Sequence, residues 1–470
     1  MNRRTCVVGA GPNGLSAAIV MAQAGWSVDI FEAQPEPGGA ARTLELTLPG
    51  FHHDFGSAVQ PMAAGSPFFS SLDLQRHGLE WIHSPAALAH PFDDGSAVVL
   101  ERDLGSVARE LGVDATAWRN LMLPFVEDWI TFAANAFQPV RLMPRNPFLM
   151  ARFAAFAFRC AGGLARSLFQ TARTRALFAG LAAHSFLSLD EPFSAASGLV
   201  LGAALHAVGW PIPRGGAGSI TNALCGCLQD LGSRVTTGRL VKQLAELQHY
   251  DVMLCDVTAW QLARMSDGKL PQEYRKKLSR FPAGPGVFKV DYALNCEIPW
   301  KAKECMTAAT VHVGGTLEEI EQSEKAMRQG RHAERPFVLL AQPTLFDPTR
   351  APLGKHIAWA YCHVPNGSTV DMLSKIENQI ERFAPGFRDC ILARRVFSPA
   401  DLEKMDANLV GGDISGGAMD IRHFIFRPTR RKYTTSARGI YLCSSSTPPG
   451  GGVHGMCGYN AAKLALYRIR

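Results

Sequence analysis

The sequence lacks several features that would assign it to a common structural class. It has no Cys-x-x-Cys pair among its eleven cysteines, no low-complexity segment and no repeat of fixed period. Charged residues make up only 19% of the 470 positions, and 48 Lys and Arg against 41 Asp and Glu leave a net charge of +7. With 47% apolar residues, this composition excludes a disordered chain and a collagen-like one, and the weak net charge does not favour nucleic acid. The odd cysteine count and the absence of a secretory leader pattern predict reduced thiols in a cytoplasmic protein.

A strand, a glycine-rich turn, a helix and a second strand follow one another at the N-terminus. The predicted strands are Thr5–Val8 and Val28–Phe31, and the predicted helix is Leu15–Ala24. The sequence Gly-Ala-Gly-Pro-Asn-Gly occupies positions 9–14, and Glu32 closes the second strand. An acid at this place can accept hydrogen bonds from ribose hydroxyls and repels a 2′-phosphate. The order of these parts predicts a dinucleotide site.

Each part of the glycine-rich turn has a separate task. Gly9 permits the tight turn, Gly11 lets the backbone approach a pyrophosphate, and Gly14 allows the helix to pack closely on the strand. The helix begins beside Pro12 and Asn13, and its N-terminus presents free N–H groups and a partial positive charge to the phosphates. We therefore expect these five residues to bind the cofactor.

A second glycine motif, Pro-Gly-Gly-Ala-Ala-Arg-Thr, follows shortly after the second strand. It resembles the second motif of the glutathione-reductase-like FAD families, in particular the phytoene desaturase and flavin amine oxidase superfamily. That motif usually reads Arg-x-Gly-Gly-Arg-x-x-Thr, and Glu36 and Ala40 stand where its arginines are usual. The resemblance implies FAD as cofactor, with Gly38 and Gly39 against it and Arg42 as partner of the flavin phosphate.

The C-terminus carries the most specific resemblance to this superfamily. A short strand, Gly439–Cys443, leads into a glycine-rich loop and a final helix, Ala461–Arg468. In the superfamily this helix N-terminus faces the flavin ring, which implies a cofactor-binding role for Gly451, Gly452 and Val453. Segments at 54–56, 213–219 and 410–417 resemble further landmarks of the superfamily, more precisely of its uncharacterised phytoene-dehydrogenase-like branch.

The resemblance covers nearly the whole chain and implies an α/β fold. A glutathione-reductase-like FAD-binding Rossmann domain would hold an inserted substrate domain of mixed sheet and helices. The FAD-binding domain is expected at 1–65, 213–260 and 411–470, and the substrate domain at 66–212 and 261–410. Predicted strands of the substrate domain are Gly286–Leu294, Thr307–Val313, Phe337–Gln342 and His356–His363. No second strand–glycine–helix unit occurs, so we expect no separate NAD(P) domain.

Lys289 and His454 are the candidate catalytic residues. Alternation along its strand places Lys289 on one face together with Asp291. Amine oxidases carry a lysine on a similar strand that holds a water against flavin N5, so the resemblance implies that Lys289 orients water or oxygen there. The alternative is a solvent-facing lysine. Candidate acid–base groups or shape elements are His206, His312, His363 and His454, and no metal-ligand spacing occurs.

No Asp or Glu occurs from Trp129 to Leu189, while Arg145, Arg152, Arg159, Arg166 and Arg173 recur every seven residues. Phe and Leu stand among them at helical spacing, and the glycine pair at 162–163 is predicted to break the stretch into two helices. A cationic amphipathic helix suits an anionic membrane surface, which would make the protein peripheral on the inner face of the membrane. The alternative is an ordinary helix pair whose arginines pair with acids elsewhere or stay solvated. Nucleic acid is not expected as a partner, and the oligomeric state stays open.

The resemblance implies an FAD-dependent oxidoreductase of desaturase or dehydrogenase type. It would transfer a hydride to flavin N5 from a hydrophobic substrate, with isoprenoids and polyenes as the leading class. Two alternatives stay open: a flavin amine oxidase that uses Lys289, and a flavoprotein with mainly a binding or redox-neutral isomerase role. The sequence fixes neither the electron acceptor nor the direction of the reaction.

Overall fold

A computed structural model of the chain describes residues 3–140 and 143–469. In chain order, its strands are β1 Arg4–Val8, β2 Ser27–Phe31, β3 Thr43–Glu45, β4 His52–Asp54, β5 Trp81–Ile82, β6 Ala86–Pro91, β7 Ala97–Leu100, β8 Ile212–Pro213, β9 Arg234–Thr236, β10 Val252–Cys255, β11 Gly286–Leu294, β12 Ala308–Val313, β13 Val338–Ala341, β14 His356–Val364, β15 Ile391–Phe397 and β16 Ile440–Leu442. Its helices are α1 Pro12–Gln23, α2 Pro61–Ala64, α3 Val107–Leu111, α4 Ala115–Glu127, α5 Trp129–Ala136, α6 Pro147–Ala157, α7 Ala161–Leu168, α8 Ala172–Ala183, α9 Ala195–Val208, α10 Gly218–Asp230, α11 Ala259–Met265, α12 Gln272–Ser279, α13 Leu317–Arg328, α14 Leu373–Phe383, α15 Pro399–Met405, α16 Ile421–Ile425 and α17 Met456–Ile469.

A five-stranded parallel sheet holds the N-terminal motif. Its strand order is β16-β10-β1-β2-β9, and every neighbouring pair is parallel. The central strands are almost wholly apolar because helices cover the sheet, and α1 packs against both α10 and α17. The glycine-rich turn lies where β1 ends and α1 begins, at the carboxyl edge where such sheets bind ligands.

The second large sheet has seven strands of mixed direction, in the order β15-β11-β14-β13-β12-β6-β7. Only its β12–β6 pair is parallel. All four predicted strands of the substrate domain are confirmed: β11 has the predicted bounds, β12 and β14 differ from them by one residue at one end, and β13 differs by one residue at each end. One face packs on α14, and the other faces a helical group that includes α4, α7, α8, α9 and α13.

The predicted α/β class, a Rossmann-type nucleotide-binding domain with a second, mixed-sheet domain, is confirmed. The chain passes between the sheets repeatedly, because the parallel sheet draws its strands from residues 4–31, 234–255 and 440–442. The domain boundaries given above stay a prediction. All eleven cysteines are free thiols.

The segment without Asp or Glu, from Trp129 to Leu189, forms α5 to α8. The predicted helix break at Gly162 and Gly163 is wrong. The chain bends by 101° between α6 and α7, at residues 158–160, and both glycines lie inside α7. A Cβ atom on Gly162 would lie 1.8 Å from Glu321 Oε1 of α13, so this glycine permits close helix packing. Among the described residues no single helix is long and apolar enough to cross a membrane, although the bent α6–α7 pair meets the length and composition criteria together.

Candidate cofactor and substrate site

The first glycine motif forms a tight cradle against the end of β10. Gly9 has a φ of +99°, and a Cβ atom there would lie 2.7 Å from the carbonyl oxygen of Asp256. A Cβ atom on Gly14 would lie 2.1 Å from the carbonyl oxygen of Gly9. A Cβ atom on Gly11 would meet the Asp256 carboxyl at 3.0 Å. Only glycine fits the first two positions, and the backbone around Gly11 lies open to a ligand.

Glu32 is held by backbone amides beside this cradle. Its Oε2 accepts a hydrogen bond from the Ala10 N–H at 2.7 Å, and its Oε1 accepts one from the Gln34 N–H at 2.9 Å. The side chain is buried. Each carboxylate oxygen keeps a second lone pair, so the fixed carboxylate can also accept from a sugar hydroxyl.

Asp256 is a site residue that the sequence analysis missed. It follows β10 directly, and its Oδ2 accepts a hydrogen bond from the Gly14 N–H at 2.8 Å. Burial, together with the nearby Asp406 and Glu32, raises the pKa of this carboxyl to about 8, although the hydrogen bond from Gly14 opposes the shift. The carboxyl is therefore mostly protonated at neutral pH, which removes a negative charge from the cradle. The sequence did contain a signal for this residue, because an acid directly follows a buried, central strand.

The second glycine motif meets the first. The Gly38 N–H donates to the Ala10 carbonyl at 2.8 Å, and a Cβ atom on Gly39 would lie 3.4 Å from the Gly11 Cα atom. Arg42 donates to the carbonyl of Gly39 at 2.7 Å and to that of Met405 at 3.1 Å. Arg42 thus fastens this loop to α15, and its predicted contact with a flavin phosphate stays a prediction.

The C-terminal glycine loop packs against the segment at 411–417. Gly452 has a φ of +126°, and a Cβ atom on Gly451 would lie 2.9 Å from the Ser415 Cα atom. The Nδ1 atom of His454 accepts a hydrogen bond from the Met456 N–H at 3.0 Å, which places the ring proton on Nε2. Burial lowers the pKa of His454 to about 4, although the nearby backbone of Gly450 and Gly451 opposes the shift, and Nε2 makes no hydrogen bond of ordinary geometry within the described residues. At neutral pH His454 is a hydrogen-bond donor and not a cationic acid.

Lys289 is buried, with 4% of its surface exposed, so the solvent-facing alternative does not hold. Its Nζ lies 2.5 Å from Oδ2 of Asp291 and donates to the Asp54 carbonyl at 3.1 Å. The ammonium also lies over the rings of Trp359 and Phe397 at 5.9 Å and 5.5 Å. Burial raises the pKa of Asp291 to about 6, although Lys289 opposes this shift. Lys289 and Asp291 share one strand face, as predicted.

Asp54, whose carbonyl accepts from Lys289, links its own segment to three others. Its Oδ2 accepts a hydrogen bond from fully buried Arg350 at 2.7 Å, and its Oδ1 accepts from the Ala217 N–H at 2.7 Å and the Thr43 hydroxyl at 3.2 Å. The hydrogen bond from the Ala217 N–H to Asp54 thus joins two of the segments that resemble landmarks of the superfamily, 54–56 and 213–219. Arg350 had no sequence signal, because its partner lies almost 300 positions away.

A single cavity of about 830 Å³ joins these parts. Its wall includes the predicted residues Gly11, Pro12, Asn13, Gly39, Lys289, Gly451, Gly452, Val453 and His454. The predicted residues Gly9, Gly14, Glu32, Gly38 and Arg42 lie beside that wall and are not part of it. Away from the cradle the lining is mainly apolar, with side chains that include Phe137, Met150, Phe153, Phe158, Phe186, Phe193, Val200, Leu201, Trp210 and Phe424.

Three other candidate histidines lie outside the cavity wall. His206 accepts a hydrogen bond from Trp118, and burial lowers its pKa to about 4. The Nδ1 atom of His363 lies 2.7 Å from Glu324 Oε2, and both side chains are buried. His312 lies behind His184, a cavity residue that the sequence analysis did not single out.

The five spaced arginines divide into two groups. Arg166 pairs with Glu318 and Glu321 of α13 at 3.0 Å and 2.7 Å, and Arg173 lies 3.8 Å from Asp94. These two follow the predicted ion-pair alternative. The other three, Arg145, Arg152 and Arg159, are exposed and pair with no carboxylate among the described residues.

These three arginines lie next to exposed apolar side chains around the cavity. Val140 and Phe158 line the cavity and are also about half exposed, at 56% and 48%. Phe148 at the start of α6 is 89% exposed and follows Pro147, a cavity residue. The cavity therefore opens beside α6, on a surface that is apolar and basic.

Comparison with known proteins places this geometry among oxidoreductases. Residues 7–66 match the family of NAD(P)-binding Rossmann-like domains. The mouse pyridine nucleotide-disulfide oxidoreductase domain-containing protein 2 is 26% identical over 99% of this chain and 93% of its own length. A lycopene-forming phytoene desaturase from Pseudescherichia vulneris is 23% identical over 99% of both chains. Putrescine oxidase with bound putrescine superposes with a TM-score of 0.62 at 14% identity, over 100% of this chain and 99% of its own.

Proposed function

Since the chain is an oxidoreductase of the phytoene desaturase-like and flavin amine oxidase superfamily, we propose that it binds FAD and acts on a hydrophobic substrate. The observation that carries this proposal is the continuity of the cavity. Backbone of both glycine motifs and of the C-terminal loop lines one part, and apolar side chains from α6 and α9 line the rest. A cofactor in the first part would share an enclosed space with an apolar molecule in the second.

The residues present fit FAD. The turn at Gly11 and Asn13 would hold the pyrophosphate, since Cβ-free backbone and the N-terminus of α1 meet there. Glu32 would hold a ribose, and neutral Asp256 would leave the phosphates without a repelling charge. The orphaned Nε2–H of His454 would find an acceptor on the flavin or the substrate.

FAD supplies a hydride acceptor at N5, and a desaturation also releases a proton from the carbon next to the oxidised one. The apolar wall excludes water from the reacting carbons, which protects a hydride transfer. Lys289 is tied to Asp291 and to the Asp54 carbonyl, so it serves as a fixed cationic donor at the cavity wall. His454 donates from Nε2 and stays neutral.

An amine oxidase is the second candidate, favoured by the buried position of Lys289 in the cavity wall and the likeness to putrescine oxidase. Against it, the apolar half of the cavity offers a primary ammonium no carboxylate. The acids that line the cavity, Asp256, Asp406 and Asp413, lie beside the nucleotide cradle or the segment at 411–417. The hydrophobic substrate therefore remains the first proposal.

The surface beside α6, where arginines and exposed apolar side chains surround the cavity opening, would admit a hydrophobic substrate. We propose that Arg145, Arg152, Arg159 and the exposed ring of Phe148 rest on an anionic membrane surface. The charge pattern supports this occupant, because cationic side chains that no carboxylate neutralises attract anionic lipid headgroups. An apolar molecule could then enter the cavity without crossing water.

Cofactor identification tests the first half of the proposal. The purified protein is expected to show an oxidised-flavin absorbance spectrum, and heat should release a compound that co-elutes with FAD and not with FMN or NAD. Addition of nonane, an apolar ligand without a reactive group, is expected to shift the bound-flavin spectrum because both would occupy one cavity. A protein without flavin, or a flavin spectrum that nonane leaves unchanged, would contradict the proposal.

A further inference from the structure

Polar side chains interrupt the apolar cavity wall where it is formed by the mixed sheet. Lys289, Tyr361, Leu339 and His312 are directly paired across β11, β14, β13 and β12, so their side chains lie in one row on one face. Three strand spacings of about 4.8 Å separate the first from the last, or roughly 14 Å. The row thus runs from the candidate catalytic lysine to a histidine at the other end.

His184 covers His312 at that end. The two Nε2 atoms lie 3.1 Å apart, and Trp210 packs 6.0 Å from both rings. A Cβ atom on Gly180 would lie 2.6 Å from His312 Nδ1, so a glycine in α8 makes room for this ring. His184 and Trp210 line the cavity, and His312 lies behind them.

The proton positions follow from the hydrogen bonds. His312 Nδ1 is buried and has no partner among the described residues. If that atom carried a proton, a buried N–H would be orphaned, which proteins rarely tolerate. The proton of His312 therefore lies on Nε2 and is donated to Nε2 of His184, which leaves the His184 proton on Nδ1. Since Nδ1 makes no hydrogen bond to another described residue and the ring lines the cavity, it is a free donor there.

Thr310 adds a second polar group on the same strand face. It precedes His312 by two residues, so both side chains point the same way. Thr310 is more than nine-tenths buried, lines the cavity, and its hydroxyl has no partner among the described residues. Buried polar atoms without partners are costly unless a ligand or water satisfies them.

We propose that His184 and Thr310 form a subsite for a neutral oxygen group, a hydroxyl or a carbonyl, carried by the apolar substrate. This inference rests on the proposed function and names its substrate class: an apolar molecule whose oxygen lies roughly 14 Å from the end of the cavity at Lys289. The Nδ1–H of His184 donates to the oxygen, and the Thr310 hydroxyl donates to it or accepts from it.

The subsite does not suit a substrate whose polar group is charged. Burial lowers the pKa of His184 to about 3 and that of His312 well below its usual value, so both rings stay neutral. A carboxylate would find no cation there, and an ammonium would find no carboxylate. An alcohol or a ketone satisfies the donors without a charge to desolvate.

Displacement of a fluorescent apolar dye, N-phenyl-1-naphthylamine, from the flavin-loaded protein tests this subsite. The displacing probes are nonane, 1-nonanol, 2-nonanone and nonylamine, which share a chain length and differ only in the polar group. The measured quantity is the ratio of dissociation constants, nonane over each polar probe. Comparison of ratios between variants cancels the different water solubilities of the probes.

In Thr310→Val and His184→Phe, the ratios for 1-nonanol and 2-nonanone are expected to fall about fivefold, since each variant removes one hydrogen bond and a hydrogen bond contributes about 1 kcal/mol. His184→Gln keeps an N–H donor and should retain part of the ratio. Met150→Leu, in the apolar wall, should change every ratio by less than about twofold. The ratio for nonylamine should likewise change by less than about twofold in every variant.

The outcomes separate the two proposals. Dye displacement by all probes with ratios unchanged in Thr310→Val and His184→Phe would overturn the subsite alone. A fall of the nonylamine ratio equal to that of 1-nonanol would also overturn it, because the subsite would then accept a cation. Failure of every probe to displace the dye would contradict the apolar cavity itself and with it the proposed function.

Discussion

At the scale of single residues, Asp256 sets the charge of the nucleotide cradle. Its pKa of about 8 lies above the ordinary value, so the protonated form belongs to the folded protein and is lost as pH rises through 8. The carboxylate that forms would face the pyrophosphate. We expect FAD affinity to weaken by up to about tenfold per pH unit above 8.

Asp256→Asn is the matched variant, because an amide oxygen still accepts from the Gly14 N–H but carries no charge. FAD dissociation constants measured by flavin fluorescence between pH 6.5 and 9 should depend on pH in the wild type and be flat in the variant. A pH dependence that persists unchanged in Asp256→Asn would show that another group is responsible.

The Lys289–Asp291 pair gives a second prediction at this scale. Lys289→Met leaves a buried carboxyl without its cation, which costs about 3–5 kcal/mol of unfolding free energy. The double variant Lys289→Met/Asp291→Leu removes both charges and should regain most of that loss. Urea unfolding of the wild type and the two variants measures this, and a single-variant loss below about 1 kcal/mol would contradict a buried ion pair.

Some site residues could be predicted from the sequence and others could not. The glycines of the three loops were found because their backbone requirements produce short, local patterns. His184 and Arg350 were missed because their partners, His312 and Asp54, are far away in the chain and adjacent only in the fold. A buried polar pair of this kind has no local signature.

At the scale of elements, strands were predicted more accurately than the helical segment. The bounds of β11 followed from its strict alternation and its apolar neighbours. The bend between α6 and α7 was misplaced because Gly162 was interpreted as a helix breaker. In the fold that glycine permits contact with Glu321, and a packing partner from α13 is invisible in the local sequence.

Helix α6 carries the third prediction. If its exposed face rests on lipid, Phe148→Ser should weaken the affinity for anionic phosphatidylserine-containing vesicles, measured by co-sedimentation, by about tenfold or more, since a buried aromatic side chain contributes about 1.5–3 kcal/mol. Leu353→Ser removes an even more exposed apolar side chain outside the cavity wall and should have no effect. Absence of binding to anionic vesicles even at low salt would contradict the membrane surface.

At the scale of the whole molecule, two sheets and the loops between them enclose one cavity. The fold class was predictable because the N-terminal motif and the C-terminal loop bracket a chain that leaves and re-enters the parallel sheet. The substrate end was not predictable, since its wall combines α6, α9, the segment at 184–187 and three strands of the mixed sheet in a register that one sequence does not reveal.

The central claim is that a flavin and an apolar substrate meet in this cavity. Anaerobic mixing of the flavin-loaded protein with two substrate sets tests it most directly: isoprenoids and polyenes, each including alcohols and ketones, and primary and secondary amines. The measured signal is the loss of oxidised-flavin absorbance. We expect bleaching by members of the first set and none by the amines. Bleaching by amines alone would contradict the account and make Lys289 the centre of an amine oxidase.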